Sequence, residues 1–319
     1  MFNFSIIIPH KNIPSLLRRC LNSIPNRSDL EVIVVDDNSN EETIKDLETI
    51  QRNNLQIVYT KDGKGAGFAR NIGIKKAHGK WILFADADDF FLSSFAKELN
   101  TYKDCPLKLI LFKSICRHSE DLNKIGNRQE LCDSFSKKMD AFQCNQTNAT
   151  LLLIDFCVPW AKMIRLDFLL ENNLLFEEVK YANDVKWGTN LALKIKDDDV
   201  IISKEPIYCL TDRTNSLFHT RDAAALFCRF GVCYRQQALL AENNIHIPFD
   251  FRNYIIQAQP RGILFFVNFC NRIMHSDFQI PAVYPIEQRF RFKKPYLYIF
   301  SQLAKTIACI PFRFINFLR

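Results

Sequence analysis

The sequence has no Cys-x-x-Cys pair, although eleven cysteines are scattered along its 319 residues. An odd number of cysteines without such a pair argues against a disulfide framework and a structural zinc site, and it favours a reducing cytoplasm. The sequence also has no run of about 18 uncharged apolar residues, so no segment is predicted to span a membrane. A strand-like segment begins at Phe4, so we expect no signal peptide.

Acidic residues are absent from residues 288–319, which contain seven basic side chains. The whole chain has a net charge of +7, so residues 1–287 balance 35 basic against 35 acidic side chains. This neutral body has no basic footprint, and we therefore expect no nucleic-acid partner. The basic tail interleaves cations with aromatic residues, which favours contact with an anionic membrane surface. Packing of the tail on the rest of the chain as a helical pair is the alternative.

Apolar runs alternate with helical patterns over the first hundred residues, which predicts an α/β fold with a mostly parallel sheet. The predicted strands cover residues 4–8, 30–35, 55–59, 81–85 and 107–112. The predicted helices between them cover residues 14–24, 41–52, 69–77 and 93–102.

The remainder of the chain has a less regular pattern. Residues 113–150 are polar and are predicted to be an irregular excursion. The segments that follow are predicted as helices at 165–172 and 184–195, short strands at 200–203 and 207–210, and helices at 221–242 and 254–274.

Three aspartates, Asp86, Asp88 and Asp89, directly follow the apolar run of residues 81–85. The carboxyl edge of a parallel sheet is where ligands bind, and neighbouring carboxylates repel one another unless a cation or donors are supplied. The cluster therefore predicts a divalent metal and an anionic ligand. A second acidic triplet, at residues 197–199, precedes its strand and is interpreted as a surface turn.

Two further segments have ligand-binding character. Asp36 and Asp37 end the second predicted strand, where a carboxylate can accept from a base N–H or a ribose hydroxyl, although a plain turn is an equally good interpretation. Residues 63–71 form a glycine-rich segment whose backbone can approach a ligand and whose Lys64 and Arg70 can meet phosphate charge. This segment is neither a Walker sequence nor a dinucleotide fingerprint, and a simple turn remains the alternative.

Four segments, in this order and spacing, resemble the family-2 glycosyltransferases of GT-A fold: residues 5–12, 34–39, 67–73 and 84–89. The resemblance is specific over residues 1–100 and thinner across 159–165, 183–185 and 211–217. It implies a Rossmann-like GT-A domain at residues 1–220, with a nucleotide-binding half at 1–112 and an acceptor and catalytic-base half at 150–220. Residues 221–319 are then expected to form a helical extension that ends in the basic tail.

The resemblance implies roles for four nucleotide-sugar-binding residues. Pro9 and His10 match the turn that lines the nucleotide pocket, with His10 at a position where the family often has an aromatic residue. Asp37 matches the acid that contacts the base, and Arg70 matches a residue near the base and the phosphates.

The resemblance also implies the metal-binding and catalytic residues. Asp86 matches the acid that faces the ribose and the metal, and Asp88 matches the direct ligand of Mn²⁺ or Mg²⁺. Asp89 is expected to support the loop. Asp184 matches the catalytic base, and Asn183 stands where the family usually has the glutamate of a Glu-Asp pair.

These roles predict an inverting, metal-dependent glycosyltransferase that uses a nucleoside-diphosphate sugar, most simply a UDP-sugar. Its acceptor would be a cell-surface polysaccharide or a lipid-linked glycan, and its location would be cytoplasmic and peripheral on the inner face of the membrane. The Gln-x-x-Arg-Trp motif of processive synthases is absent, so one sugar is expected to be transferred per binding event.

Two other functions remain open. A sugar-nucleotide pyrophosphorylase shares the nucleotide-binding layout, but that class needs a glycine-rich loop directly after the first strand, where this chain has residues 9–12 instead. A catalytically silent nucleotide-sugar-binding or scaffold protein is the third interpretation.

Three residues of the second half have open roles. Trp160 and Lys162 are candidates for an acceptor platform, because aromatic faces suit sugars, but Trp160 is equally good as a core residue. His219 is a candidate for contact with the metal or a phosphate, although most isolated histidines are not ligands.

Overall fold

The computed structural model describes residues 2–213, 216, 219–220, 222–247, 252–258 and 266. The chain divides into two units at Thr220, and each is described by itself. Residues 259–274 of the predicted helix at 254–274, apart from Phe266, and the basic tail at 288–319 lie outside the described residues.

The first unit is built on one sheet that has eight strands within the described residues. They are β1 (Phe4–His10), β2 (Leu30–Asp37), β3 (Leu55–Thr60), β4 (Trp81–Phe84), β5 (Phe90–Phe91), β6 (Leu109–His118), β7 (Lys162–Arg165) and β8 (Val200–Asp212). Their order across the sheet is β3-β2-β1-β4-β7-β6-β8-β5. The first four strands in this order are parallel, β7 is antiparallel to β4 and β6, β6 is parallel to β8, and β5 is antiparallel to β8. The predicted mostly parallel α/β sheet is confirmed.

Helices flank the sheet and provide most of its crossovers. In the first unit they are α1 (Pro14–Ser23), α2 (Glu41–Glu48), α3 (Ala66–Lys76), α4 (Phe95–Tyr102), α5 (Gln129–Gln143), α6 (Ala149–Asp155), α7 (Leu166–Glu171) and α8 (Val185–Lys194). The second unit contains α9 (Ala223–Glu242) and α10 (Arg252–Ala258). None of the helices in the described part of the chain combines the length and the apolarity that crossing a bilayer requires.

The strands that carry the site are buried on both faces. Every residue of β1, β2 and β4 is buried, as their continuous apolar runs predict for parallel strands covered by helices. The register pairs Ile7 of β1 with Ile33 of β2 and Phe84 of β4, so the three strands end at one edge of the sheet. Residues that follow these strands therefore meet at that edge.

The structure corrects the prediction of an irregular excursion at residues 113–150. Strand β6 continues to His118, and α5 and the beginning of α6 occupy much of the rest. Helix α5 buries Cys132, Phe135 and Met139 at spacings of three and four residues, which is one helical face. Because the other faces of α5 carry many polar residues, this narrow apolar stripe was not recognised as a helix in the sequence. The two strands predicted at 200–203 and 207–210 are also one strand, β8, whose pairing with β6 shifts register near Lys113.

Candidate active site

The carboxyl edge of β2, β1 and β4 brings together residues that are far apart in the sequence. Arg70, on α3, donates from Nη2 to Oδ1 of Asp86 at 2.6 Å and from Nη1 to Oδ1 of Asn183 at 2.8 Å. Asn183 directly precedes Asp184, which stands at the start of α8. One buried guanidinium thus joins the acidic turn after β4 to the segment that carries the predicted catalytic base.

The carboxylate of Asp37 is buried at the end of β2 and is only partly satisfied. Its Oδ2 accepts from the backbone N–H of Gly65 at 2.9 Å and lies 3.7 Å from Nζ of Lys11. Its Oδ1 is buried and has no hydrogen-bond partner among the described residues. A buried acceptor without a donor is costly, so this oxygen is prepared to accept from a ligand N–H or O–H.

The ring of His10 is enclosed by protein, beside the buried Pro9. Its Nε2 accepts from the N–H of Ile13 at 3.2 Å, so Nδ1 carries the proton and donates to Oδ1 of Asp36 at 2.9 Å. Burial opposes ionisation of Asp36, but the hydrogen bonds from His10 and Ser39 outweigh it and lower the pKa of Asp36. With both nitrogens engaged, the ring fixes the loop after β1 against β2. The pocket-lining role of Pro9 and His10 stays a prediction.

The three aspartates of the acidic turn have different surroundings. Asp86 pairs with Arg70 and stays about one-third exposed, whereas Asp88 accepts at Oδ2 from Nε of Arg213 at 2.7 Å. The buried Asp89 accepts from the N–H of Thr211 at 2.7 Å and from the hydroxyl of Tyr208 at 2.9 Å. Burial, followed by the charges of Asp88 and Asp86, raises the pKa of Asp89 well above its usual range. The predicted supporting role of Asp89 in the loop agrees with these contacts.

The donor chemistry of this turn is compatible with a divalent metal. Asp86 Oδ2 and Asp88 Oδ1 each have no hydrogen-bond partner within the described residues. Within the same residues, no group of three or more His, Cys, Asp or Glu side chains is arranged to hold a metal by itself. Mg²⁺ is usually bound by one or two carboxylates together with substrate phosphates and water, so two free carboxylate oxygens suit an ion shared with a phosphorylated ligand.

Asp184 is half-buried at the N-cap of α8. Its backbone carbonyl accepts from the N–H of Gly188 at 2.8 Å, while its side chain makes no capping hydrogen bond. Burial raises the pKa of Asp184, although the nearby Arg70 opposes this effect; Asp86 adds to the rise and Lys162 opposes it. A carboxylate with a raised pKa is a better proton acceptor, which suits a general base.

The proposed acceptor platform is corrected by the structure. Trp160 is buried and stacks on Tyr208, with ring centroids 5.7 Å apart. Lys162 is also buried, and its Nζ donates to the carbonyl of Val158 at 2.6 Å. Burial lowers the pKa of Lys162 well below its usual range. Both residues belong to the core, so they do not offer a surface to a sugar.

His219, a predicted candidate for contact with the metal or a phosphate, has Nε2 2.9 Å from Oδ1 of Asp212 at the end of β8. Two residues that the sequence analysis did not single out contact the acidic turn. Arg19 and Tyr208 hold the acidic turn through its carbonyl and carboxylate groups. No sequence signal identifies these two, because an arginine on an amphipathic helix and a tyrosine in a strand are ordinary residues there.

Comparison with known proteins identifies the family of this chain. The model of the family "Glycosyl transferase family 2" matches residues 5–169. Poly(ribitol-phosphate) beta-N-acetylglucosaminyltransferase TarS of Staphylococcus aureus (strain MW2) is 27% identical over 218 residues, which are 65% of this chain and 35% of that protein. Poly(ribitol-phosphate) beta-glucosyltransferase of Bacillus spizizenii is 30% identical over 205 residues, 60% of this chain and 30% of that protein. This chain thus spans about a third of the length of these curated relatives.

Solved structures share the fold. The crystal structure of S. aureus TarS 1-349 in complex with UDP-GlcNAc superposes with a TM-score of 0.58 at 21% identity, covering 96% of this chain and 81% of that one. Mannosyltransferase PcManGT from Pyrobaculum calidifontis, in complex with GDP-Man and Mn²⁺, has a TM-score of 0.50 at 16% identity, covering 96% and 85%. The family model covers more than half of the sequence, and this chain therefore belongs to glycosyl transferase family 2.

Proposed function

We propose that this chain is an inverting, metal-dependent glycosyltransferase. It moves a sugar from a nucleoside-diphosphate sugar, most simply a UDP-sugar, to a hydroxyl of a glycan or lipid-linked acceptor in cell-surface polysaccharide synthesis. The observation that carries this proposal is Asp184, half-buried with a raised pKa, beside a guanidinium that also binds the acidic turn. The names of the relatives, which transfer N-acetylglucosamine or glucose to poly(ribitol phosphate), support the same class of reaction.

Asp37 is proposed to bind the base of the donor. Its unpartnered Oδ1 is positioned at the edge of the sheet to accept from a base N–H, as carboxylates do in nucleotide-binding sheets. The backbone N–H of Gly65 holds the other oxygen, which fixes the direction of the carboxylate. TarS has been crystallised with UDP and with UDP-GlcNAc, which favours uridine as the base.

Asp86 and Asp88 are proposed to hold Mn²⁺ or Mg²⁺. The bound ion would neutralise the charge that develops on the leaving diphosphate. A 2.6 Å hydrogen bond from Arg70 holds the carboxylate of Asp86 in one orientation, so Asp86 is ordered before the nucleotide sugar binds. A charge-assisted bond of this kind is stronger than a neutral one, which favours a single arrangement of the turn.

Asp184 is proposed to take the proton of the acceptor hydroxyl as that oxygen attacks the anomeric carbon. Attack from the face opposite the diphosphate inverts that carbon and needs no covalent enzyme intermediate. The raised pKa of Asp184 moves it towards the operating pH, where a general base is most effective. The nearby charge of Arg70 opposes this rise in the pKa of Asp184.

The test measures release of nucleoside diphosphate from a panel of nucleotide sugars with Mn²⁺, with and without glycan acceptors. The variants are Asp88→Asn and Asp184→Asn, and the control is Asp198→Asn, an exposed aspartate of the surface turn. We expect metal-dependent turnover of one donor that both site variants lose and the control keeps. Turnover that is unchanged in Asp88→Asn would refute the metal assignment.

Two further measurements distinguish the other two functions. A pyrophosphorylase would release pyrophosphate from a nucleoside triphosphate and a sugar 1-phosphate. A silent binding protein would bind UDP in calorimetry without any turnover. Absence of nucleotide binding as well as turnover would refute the proposed site as a whole.

We also propose that residues 288–319 place the enzyme on the inner face of the cell membrane, since they carry seven cations and no acid. Truncation after Glu287 is expected to move the protein from the membrane fraction to the soluble fraction. A full-length variant with Arg289, Arg291, Lys293 and Lys294 changed to glutamine separates charge from chain length. Unchanged partitioning of both variants would contradict this proposal.

A further inference from the structure

Arg19, on α1, contacts three separate segments at the carboxyl edge of the sheet. Its Nη1 donates to the carbonyl of Ser119 at 3.0 Å, and its Nη2 donates to the carbonyl of Asp88 at 2.6 Å and to Oγ1 of Thr211 at 3.1 Å. The guanidinium also lies 5.6 Å from the ring centroid of Phe90, which follows the acidic turn. One side chain of α1 thus joins the end of β6, the acidic turn and β8.

Thr211 completes this arrangement. Its Oγ1 donates to the same carbonyl of Asp88, at 2.5 Å, while it accepts from Arg19. Its backbone N–H donates to the carboxylate of Asp89 at 2.7 Å. The guanidinium of Arg19, the hydroxyl of Thr211 and the carbonyl of Asp88 are therefore joined in a ring of hydrogen bonds. The carbonyl accepts from one charged donor, Arg19, and one neutral donor, Thr211.

These contacts act on the backbone of Asp88 and leave its carboxylate available. The carboxylate is held separately, at Oδ2 only, by Arg213. Within the turn itself, a backbone hydrogen bond runs from the N–H of Asp89 to the carbonyl of Asp86 at 3.0 Å. The three carboxylates of this four-residue turn repel one another. The guanidinium of Arg19 offsets this repulsion by binding the backbone carbonyl of Asp88, so it does not occupy a carboxylate oxygen that could bind a metal.

We infer that Arg19 is a positioning residue that fixes the backbone of the acidic turn and thereby the direction of the Asp88 carboxylate. This inference rests on the proposed function, because it assigns a reason for the position of a proposed metal ligand. Arg19 touches neither donor nor acceptor in this role. It acts only through the carbonyl of Asp88 and the hydroxyl of Thr211.

The neighbouring Arg18 provides a matched control. It lies on the same helix but donates to Asp46 and Thr49, at and after the end of α2. Lysine in place of arginine keeps the charge and loses the planar fork, so Arg19→Lys can satisfy fewer of the three acceptors. Thr211→Val removes the hydroxyl at nearly constant volume, and Thr211→Ser restores it.

The kinetic test compares Arg19→Lys, Arg18→Lys, Thr211→Val and Thr211→Ser. For Arg19→Lys and Thr211→Val we expect kcat/KM to fall by about 10- to 100-fold, the size of effect that a small misplacement of a reacting group produces. The concentration of Mn²⁺ required for half-maximal turnover is expected to rise in the same two variants. Arg18→Lys and Thr211→Ser are expected to stay within about twofold of the unmodified enzyme, as surface and conservative changes usually do.

A second measurement does not depend on turnover. Hydrogen exchange of the amides at residues 86–91, followed in the full chain without nucleotide, is expected to be at least about tenfold faster in Arg19→Lys than in Arg18→Lys. Equal exchange in the two variants, or an unchanged Mn²⁺ requirement in an active Arg19→Lys, would overturn the inference. An unmodified chain that binds no nucleotide would refute the proposed function, and hydrogen exchange would still decide whether Arg19 fixes the turn.

Discussion

Replacing Asp184 by asparagine is expected to stabilise the folded protein while abolishing transfer. Burial raises the pKa of Asp184, which means that its ionised form is less favourable in the folded protein than in the unfolded chain. Asparagine has nearly the same shape and no charge. The substitution therefore removes the cost of burying the carboxylate and also removes the proposed base.

The size of this gain depends on pH in a defined direction. Below the unfolded-state pKa of about 3.9, the carboxyl group is protonated in both states, and the two proteins should be equally stable. As the pH rises through the raised folded-state pKa, the unmodified protein loses stability relative to Asp184→Asn. At neutral pH the difference is expected to be about 1.4 kcal/mol for each unit by which burial raises the folded-state pKa.

Urea unfolding of both proteins between pH 4 and pH 8 measures this difference directly. The control is Asp198→Asn, at an exposed carboxylate of the surface turn, and its free energy of unfolding should follow that of the unmodified protein. In the same pH range, the turnover of the unmodified enzyme should fall on the acid side as Asp184 becomes protonated. If Asp184→Asn is no more stable than the unmodified protein at pH 7, burial does not penalise this carboxylate and the argument for a tuned base fails.

Three further predictions test other parts of the site and its support. Asp37→Ala should weaken UDP binding in calorimetry by about 1.5–3 kcal/mol, the range for a hydrogen bond to a charged group, and unchanged affinity would contradict the assignment of the base contact. Gly67→Ala should cost about 1–3 kcal/mol in urea unfolding, because a Cβ there would lie 2.3 Å from the carbonyl oxygen of Glu177. A gain of about 1 kcal/mol, as for an unhindered helical glycine, would show that this contact relaxes freely. Lys162→Met should stabilise the protein at pH 7, because burial lowers the pKa of Lys162 below its unfolded value, and the gain should disappear as the pH approaches about 10.4. A gain that does not shrink at high pH would point to better packing instead of charge removal.

Much of the fold follows from local patterns in the sequence. The continuous apolar runs that became β1, β2 and β4 are typical of strands buried on both faces, and the helical segments between them specify parallel crossovers. Parallel strands place the residues that follow them at one edge, so the presence of Asp37 and Asp86 at the same edge of the sheet was predictable. The supporting role of Asp89 was predicted only from the resemblance to family-2 glycosyltransferases.

Other features are invisible to such patterns because they depend on contacts between distant segments. Helix α5 was missed because its apolar stripe is narrow. The burial of Trp160 depends on contacts with Phe135 of α5 and Tyr208 of β8, which are distant in the sequence. His10 occupies a position that resembles a ligand-lining site, yet its environment is decided by Asp36 on the neighbouring strand. Local sequence carries no information about which side of a loop faces protein and which faces solvent.

The sequence by itself determined which residues follow the central strands, because continuous apolar runs, which are local features, specify those buried strands. Only the tertiary structure decided the hydrogen bonds of those residues and the shifts of their pKa values. Arg70 reaches Asn183 across 113 positions of the chain, and Arg19 reaches the carbonyl of Asp88 across 69. Such contacts arise when separate elements pack, and the low dielectric of that packing shifts the pKa of Asp184.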